Sequence, residues 1–126
     1  MDATKQAILA EAFGDIVGSD SVLINEPMAN HTTFKIGGPA QLLVQPHSIP
    51  EIQAILALCR NAQVPVHVMG LGSNILVADA GMPNVVVKLA ENFSDITVTG
   101  CTITAQAGAS NEAVAKAAQN AALAGY

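Results

Sequence analysis

The chain has 126 residues, 51% of them hydrophobic, and its five Lys and Arg against ten Asp and Glu give a net charge of −5. Such a length fits one domain or a piece of one, and so few, scattered basic residues argue against a nucleic-acid surface. Mean hydropathy is +0.41, yet apolar runs such as 54–59 and 75–78 are far shorter than the roughly 20 residues of a membrane span. Ala, Val, Ile and Leu dominate, with no Trp, one Tyr and three Phe. That composition suits a β-branched sheet covered by Ala-rich helices, and so α/β layering.

Residues 3 to about 18 read as an amphipathic helix, with Ile8, Ala12 and Ile16 at helical spacing and Glu11 and Asp15 on the wetter side. Gly18-Ser19-Asp20 ends it, and Val22-Leu23-Ile24 forms a short strand. The polar, proline-broken stretch Asn25 to His31 is expected to be an extended connection. Thr32–Ile36 and Ala40–Gln45 read as strands around a Gly37-Gly38-Pro39 turn. Ser48-Ile49-Pro50-Glu51 has the form of a capping box, with proline tolerated in the first turn. Ile52, Ile55, Leu56 and Cys59 follow as one apolar stripe at i, i+3, i+4, i+7. After Val64-Pro65, Val66–Met69 is again a strand, which makes a βαβ unit of two parallel strands with a right-handed crossover.

Beyond Gly70-Leu71-Gly72-Ser73-Asn74, Ile75–Ala78 reads as a strand and 79–83 as a turn into Val85–Leu89. Ile96–Thr99 and Thr102–Ala105 flank Gly100-Cys101 as an antiparallel hairpin. Ser110 caps a last, Ala-rich helix expected to run to Ala124, with Glu112 in its first turn where the dipole favours it. Gly125-Tyr126 then sits where a C-cap glycine normally directs the chain onward, so the sequence is expected to be the truncated front of a larger protein.

The segment Gly70–Asn74 leaves the C-terminal end of a parallel strand, the place where α/β sheets bind ligands. Its two glycines allow φ > 0, so successive amides can converge on an anion. Ser73 and Asn74 add a hydroxyl and an amide at the same mouth. A phosphate or pyrophosphate suits such a loop, and a plain Gly-rich turn between two strands is the competing reading. Ile75 stands where a dinucleotide G-x-G-x-x-G fingerprint needs glycine, and no Gly-Lys-Ser/Thr occurs for a Walker loop.

Asn30-His31-Thr32-Thr33-Phe34-Lys35-Ile36-Gly37-Gly38-Pro39-Ala40, followed by Gly70-Leu71-Gly72-Ser73-Asn74-Ile75-Leu76-Val77-Ala78-Asp79-Ala80-Gly81, resembles the UDP-N-acetylenolpyruvoylglucosamine reductase (MurB) family. Val85–Leu89 and Gly108-Ala109-Ser110 resemble it in the same order, so the likeness covers about 20–126. It implies an α/β (α+β) fold: an incomplete FAD-binding domain of the vanillyl-alcohol-oxidase/PCMH type, with an N-terminal helix over 1–20 and the front part of the domain over 21–126. It also implies that Gly70, Leu71, Gly72, Ser73, Asn74 and Ile75 hold the FAD pyrophosphate. In the family NADPH reduces the flavin, which reduces the enolpyruvyl double bond of a UDP-sugar in cytoplasmic peptidoglycan synthesis. The family's catalytic Arg, Ser and Glu, its further Gly-rich segment and its substrate domain all fall beyond the equivalent of Tyr126, so no catalytic residue is assigned and the chain alone is expected to be inactive. Two alternatives stay open: an FAD-dependent sugar or alcohol oxidase of the same fold, and a non-catalytic nucleotide-binding module. The covalent oxidases place a histidine in the corresponding loop, and 70–74 contains none.

Among the remaining polar residues, His31 reads as a hydrogen-bonded connector residue, His47 as exposed and His67 as facing the core or a helix. No two histidines have metal-ligand spacing. Asp79 reads as a turn residue and Lys35 as a solvated strand residue. Cys59 and Cys101, in a predicted helix and strand, are expected to be buried free thiols.

Overall fold

A computed structural model describes residues 1–32, 35, 37–70 and 81–122. Helix α1 (Ala3–Val17) begins at Asp2, whose carboxylate accepts the Lys5 N–H at 2.7 Å. It ends at Gly18, whose φ of 91° and N–H bond to the Gly14 carbonyl close the last turn. Helix α2 (Ile49–Asn61) has Ser48 Oγ accepting the Glu51 N–H at 3.4 Å. Glu51 reaches back one residue further than the capping box predicts, accepting the His47 N–H at 2.6 Å. Helix α3 (Asn111–Asn120) is capped by Ser110, which accepts the Ala113 N–H at 3.0 Å.

Strands β1 (Val22–Pro27), β2 (Pro39–Val44), β3 (Val66–Met69) and β4 (Met82–Lys88) form one sheet in the order β1-β2-β4-β3. β1 runs antiparallel to β2, and both β2 and β3 run parallel to β4. The strands flanking α2 are therefore parallel, as a βαβ unit requires, with β4 inserted between them. Val85, Val86 and Val87 are each at most 1% exposed, as expected of a central parallel strand covered on both faces. On one face Leu42, Val44, Val85 and Val87 meet Leu9, Phe13 and Val17 of α1 and Ile55 and Cys59 of α2. On the other, Leu43 and Val86 join Met28, Ala40 and Met69. Full burial of each such Val or Leu stabilises by roughly 1.5–3 kcal/mol, so the two small cores outweigh any single polar contact. β5 (Ile96–Thr99) and β6 (Thr102–Ala105) form a separate hairpin turning at Gly100, whose φ is 58°.

Several expectations are corrected. The buried series of α1 is Leu9, Phe13 and Val17, one residue on from the expected stripe, and Ile8 is 63% exposed. Both series repeat every fourth residue; the bulkier one wins because it buries more apolar area. Within α2, Leu56 lies at the edge of the stripe, exposed. The stretch 25–31 is not an extended connection: β1 continues to Pro27, and Met28–His31 is a 3₁₀ turn. Met28 and Ala29 donate to the Gly38 and Gly37 carbonyls, so the β1–β2 pairing continues past Pro27. Of the strand expected at 32–36 only Thr32 and Lys35 are described, and neither is in a strand. Lys35, at φ 54°, donates to the Thr32 carbonyl in a turn, while Thr33, Phe34 and Ile36 lie outside the described residues. Met82 and Pro83 belong to β4 instead of the turn before it. α3 stops at Asn120, with Ala122 at φ 56° closing onto the Gln119 carbonyl. The expected strand Ile75–Ala78, Asp79 and the end at 123–126 lie outside the described residues. No helix among them is long and apolar enough to cross a membrane.

Candidate cofactor site

Of the six residues expected to hold the cofactor, Gly70 is described, at the C-terminal end of β3. Leu71, Gly72, Ser73, Asn74 and Ile75 lie outside the described residues. Around Gly70 the backbone is tightly layered. The Leu89 N–H donates to the Met69 carbonyl at 2.7 Å, so β3 and β4 stay paired up to the glycine. A Cβ on Gly70 would stand 2.5 Å from the Ala107 carbonyl oxygen, and one on Gly108 would run into the Ala90 carbonyl. Two glycines far apart in sequence thus let three backbone segments (70, 89–90 and 107–108) come together where side chains do not fit.

Further bonds fix this arrangement. The Gly108 N–H donates to the Phe93 carbonyl at 2.8 Å, Phe93 N–H to Ala90, and Gln106 N–H to Asp95. Phe93 is buried beneath them. Ser110, two residues past Gly108, opens α3. At the other end of the sheet Gly81 (φ 86°) lies so close to Pro39 that a Cβ would overlap its backbone. Chemically, a strand end lined by bare backbone suits a ligand held by amide groups, as a dinucleotide pyrophosphate is.

The role of Gly108 follows from its contact with Ala90, which adjacency in sequence cannot reveal; the Gly-Ala-Ser sequence before a helix was its one visible signal. His31 is the hydrogen-bonded connector residue expected: its Nε2 lies 3.3 Å from Glu26 Oε1 and its Nδ1 2.9 Å from Lys88 Nζ. Burial, then the Lys88 charge, push its pKa below the ordinary 6.5, with Glu26 acting the other way. His47 is exposed and lies 3.2 Å from Glu51. His67 is exposed, contrary to expectation: among the described residues β3 is the last strand of its sheet, and His67 lies on the face opposite α1 and α2. Cys59 is buried and its thiol is pushed up to about 11 by that burial. Cys101 is exposed, because it occupies the hairpin turn beside Gly100. Among the described residues no three metal-ligating side chains converge.

The sequence pattern of the FAD binding domain family matches residues 40–125. The chain is 47% identical over 97 residues to the UDP-N-acetylenolpyruvoylglucosamine reductase of Clostridium botulinum, covering 77% of this chain and 31% of that protein. It is 44% identical over 111 residues to the enzyme of that name from Syntrophomonas wolfei, covering 88% and 37%. The chain thus spans about a third of the length of the curated relatives it matches. By structure it resembles 4-ethylphenol oxidase from Gulosibacter chungangensis (TM-score 0.75, 15% identity, 97% of this chain and 26% of that one). It also resembles p-cresol methylhydroxylase (TM-score 0.71, 16% identity, 98% and 26%). These likenesses establish the fold, an FAD-binding domain of the vanillyl-alcohol-oxidase/PCMH type. The chain belongs to the FAD binding domain family.

Proposed function

We propose that the chain is the FAD-binding part of an NADPH-dependent reductase that converts UDP-N-acetylenolpyruvoylglucosamine to UDP-N-acetylmuramate for peptidoglycan. The observation that carries this reading is the 43–47% identity to reductases of that name over 97–100 residues. FAD, when bound, supplies the hydride chemistry between NADPH and the enolpyruvyl double bond.

The chain's own residues bind and orient. Gly70 brings β3 to its end against the 89–90 and 107–108 backbone, and the amides of 70–75 with the Ser73 hydroxyl receive the pyrophosphate. The groups that protonate the substrate belong to the part of the relatives' length that this chain does not span. NADPH and the UDP-sugar are accordingly partners of the whole cytoplasmic enzyme.

The test is NADPH oxidation by the complete gene product with and without the enolpyruvyl UDP-sugar. Substrate-dependent oxidation supports the reading. Flavin-loaded protein that oxidises NADPH no faster with this substrate, or that oxidises phenols or sugars instead, overturns it.

A further inference from the structure

Three side chains from three elements meet on the sheet face opposite α1 and α2: Glu26 of β1, His31 at the end of the 3₁₀ turn, and Lys88 at the end of β4. Lys88 Nζ lies 2.9 Å from His31 Nδ1, and His31 Nε2 lies 3.3 Å from Glu26 Oε1. Asn30 Nδ2 also donates to that carboxylate oxygen, at 3.1 Å. The His31 side chain is 9% exposed and that of Glu26 21%.

An ammonium group is a donor only, so Nδ1 must offer its lone pair and the single ring proton sits on Nε2, directed at Glu26. The row is then cation, neutral ring, anion. A second proton on the ring turns Nδ1 into a donor facing the ammonium. The bond is lost, and two positive charges stand in contact.

We propose that His31 is a proton-operated latch: the neutral ring fastens the Met28–His31 turn to β4 through Lys88, and the protonated ring releases it. Among the described residues the charged or titratable groups facing it are Lys88 from β4 and Glu26 from β1; Asn30, from its own turn, braces Glu26. Burial and Lys88 oppose the second proton while Glu26 attracts it. The latch therefore holds at neutral pH and opens in acid, below the ordinary histidine value of 6.5. Lys88 pairs with Met69, the residue before Gly70, and leads through Leu89 to Ala90 behind Gly108. Opening thus acts on the β3–β4 pair that leads into Gly70. That last consequence rests on the FAD reading, whereas the latch itself does not.

The test is ¹⁵N NMR of the histidine rings in the complete gene product, with His31 assigned through His31→Gln. The expected result is the Nε2–H tautomer at neutral pH and a protonation midpoint below 6.5. Lys88→Met should raise that midpoint and Glu26→Gln should lower it. His31→Gln, which keeps one acceptor and one donor but cannot titrate, should abolish the acid-dependent rise in amide exchange across 28–31. An Nδ1–H tautomer, a midpoint at or above 6.5, or a midpoint unmoved by Lys88→Met overturns the latch. All of these outcomes are read from ring and amide signals, and they stand whether or not FAD binds.

Discussion

Replacing Gly108 with alanine places a methyl group on the Ala90 backbone, which is 2.7 Å away at its carbonyl carbon and closer still at its oxygen. Overpacking costs roughly 1–3 kcal/mol. Because the obstruction is main chain and not a rotatable side chain, the upper half of that range, about 2–3 kcal/mol, applies. Gly108 does not need a left-handed φ, so alanine also removes unfolded-state freedom worth about 0.4–1 kcal/mol. The net expectation is a loss of about 1–2.5 kcal/mol. Gly14, inside α1, is the control: a Cβ there meets only the Ser19 Cα at 3.8 Å, so Gly14→Ala should stabilise by roughly 0.5–1 kcal/mol. Urea unfolding of the two variants, read as a shift in midpoint at constant slope, separates them. A Gly108→Ala protein with an unchanged or higher midpoint would refute the close approach of 108 to 90, and with it the layered strand end.

Three further outcomes follow from the same packing. Leu9→Ala should cost roughly 2–5 kcal/mol, while Ile8→Ser should stay within about 0.5 kcal/mol; equal losses would put the wrong face of α1 in the core. A thiol reagent should label Cys101 quickly in the folded protein and reach Cys59, whose thiol is raised to about 11, only on unfolding; fast labelling of both would contradict the buried position. The depressed pKa of His31 means that the unfolded chain binds more protons below 6.5. Its contribution to stability is therefore complete above that pH and lost as pH falls toward the folded-state value, and in His31→Gln that part of the pH dependence should vanish.

The elements with local signatures were legible in the sequence. Ser48 and Glu51 mark the start of α2, Gly100 marks the hairpin turn, and Ser110 marks the start of α3, because capping and turn chemistry act within a few residues. What escaped depends on contacts between distant segments. Two series in α1 share helical spacing, and only the sheet beneath decides which is buried. His67 alternates with valines as a core residue would, yet among the described residues β3 is the last strand of its sheet, a position set by the insertion of β4. The meeting of Gly70 with Ala107, and of His31 with Lys88 57 residues away, has no sequence pattern at all. Of the candidate site, the Gly70–Ile75 loop was expected from its glycines, its place after a strand and the family resemblance, and only its Gly70 is among the described residues; the contacts of Gly70 with Ala107 and of Gly108 with Ala90 emerge only from the packing.

Flavin content bears most directly on the central proposal, that FAD is held at the Gly70 strand end. The complete gene product, purified and titrated with FAD, should carry bound flavin that survives gel filtration. The Gly72→Val variant should lose most of it while keeping its secondary structure, since a branched side chain in the loop obstructs the amide cradle. A parent protein that takes up no flavin, or a folded Gly72→Val protein that retains it in full, would contradict the account.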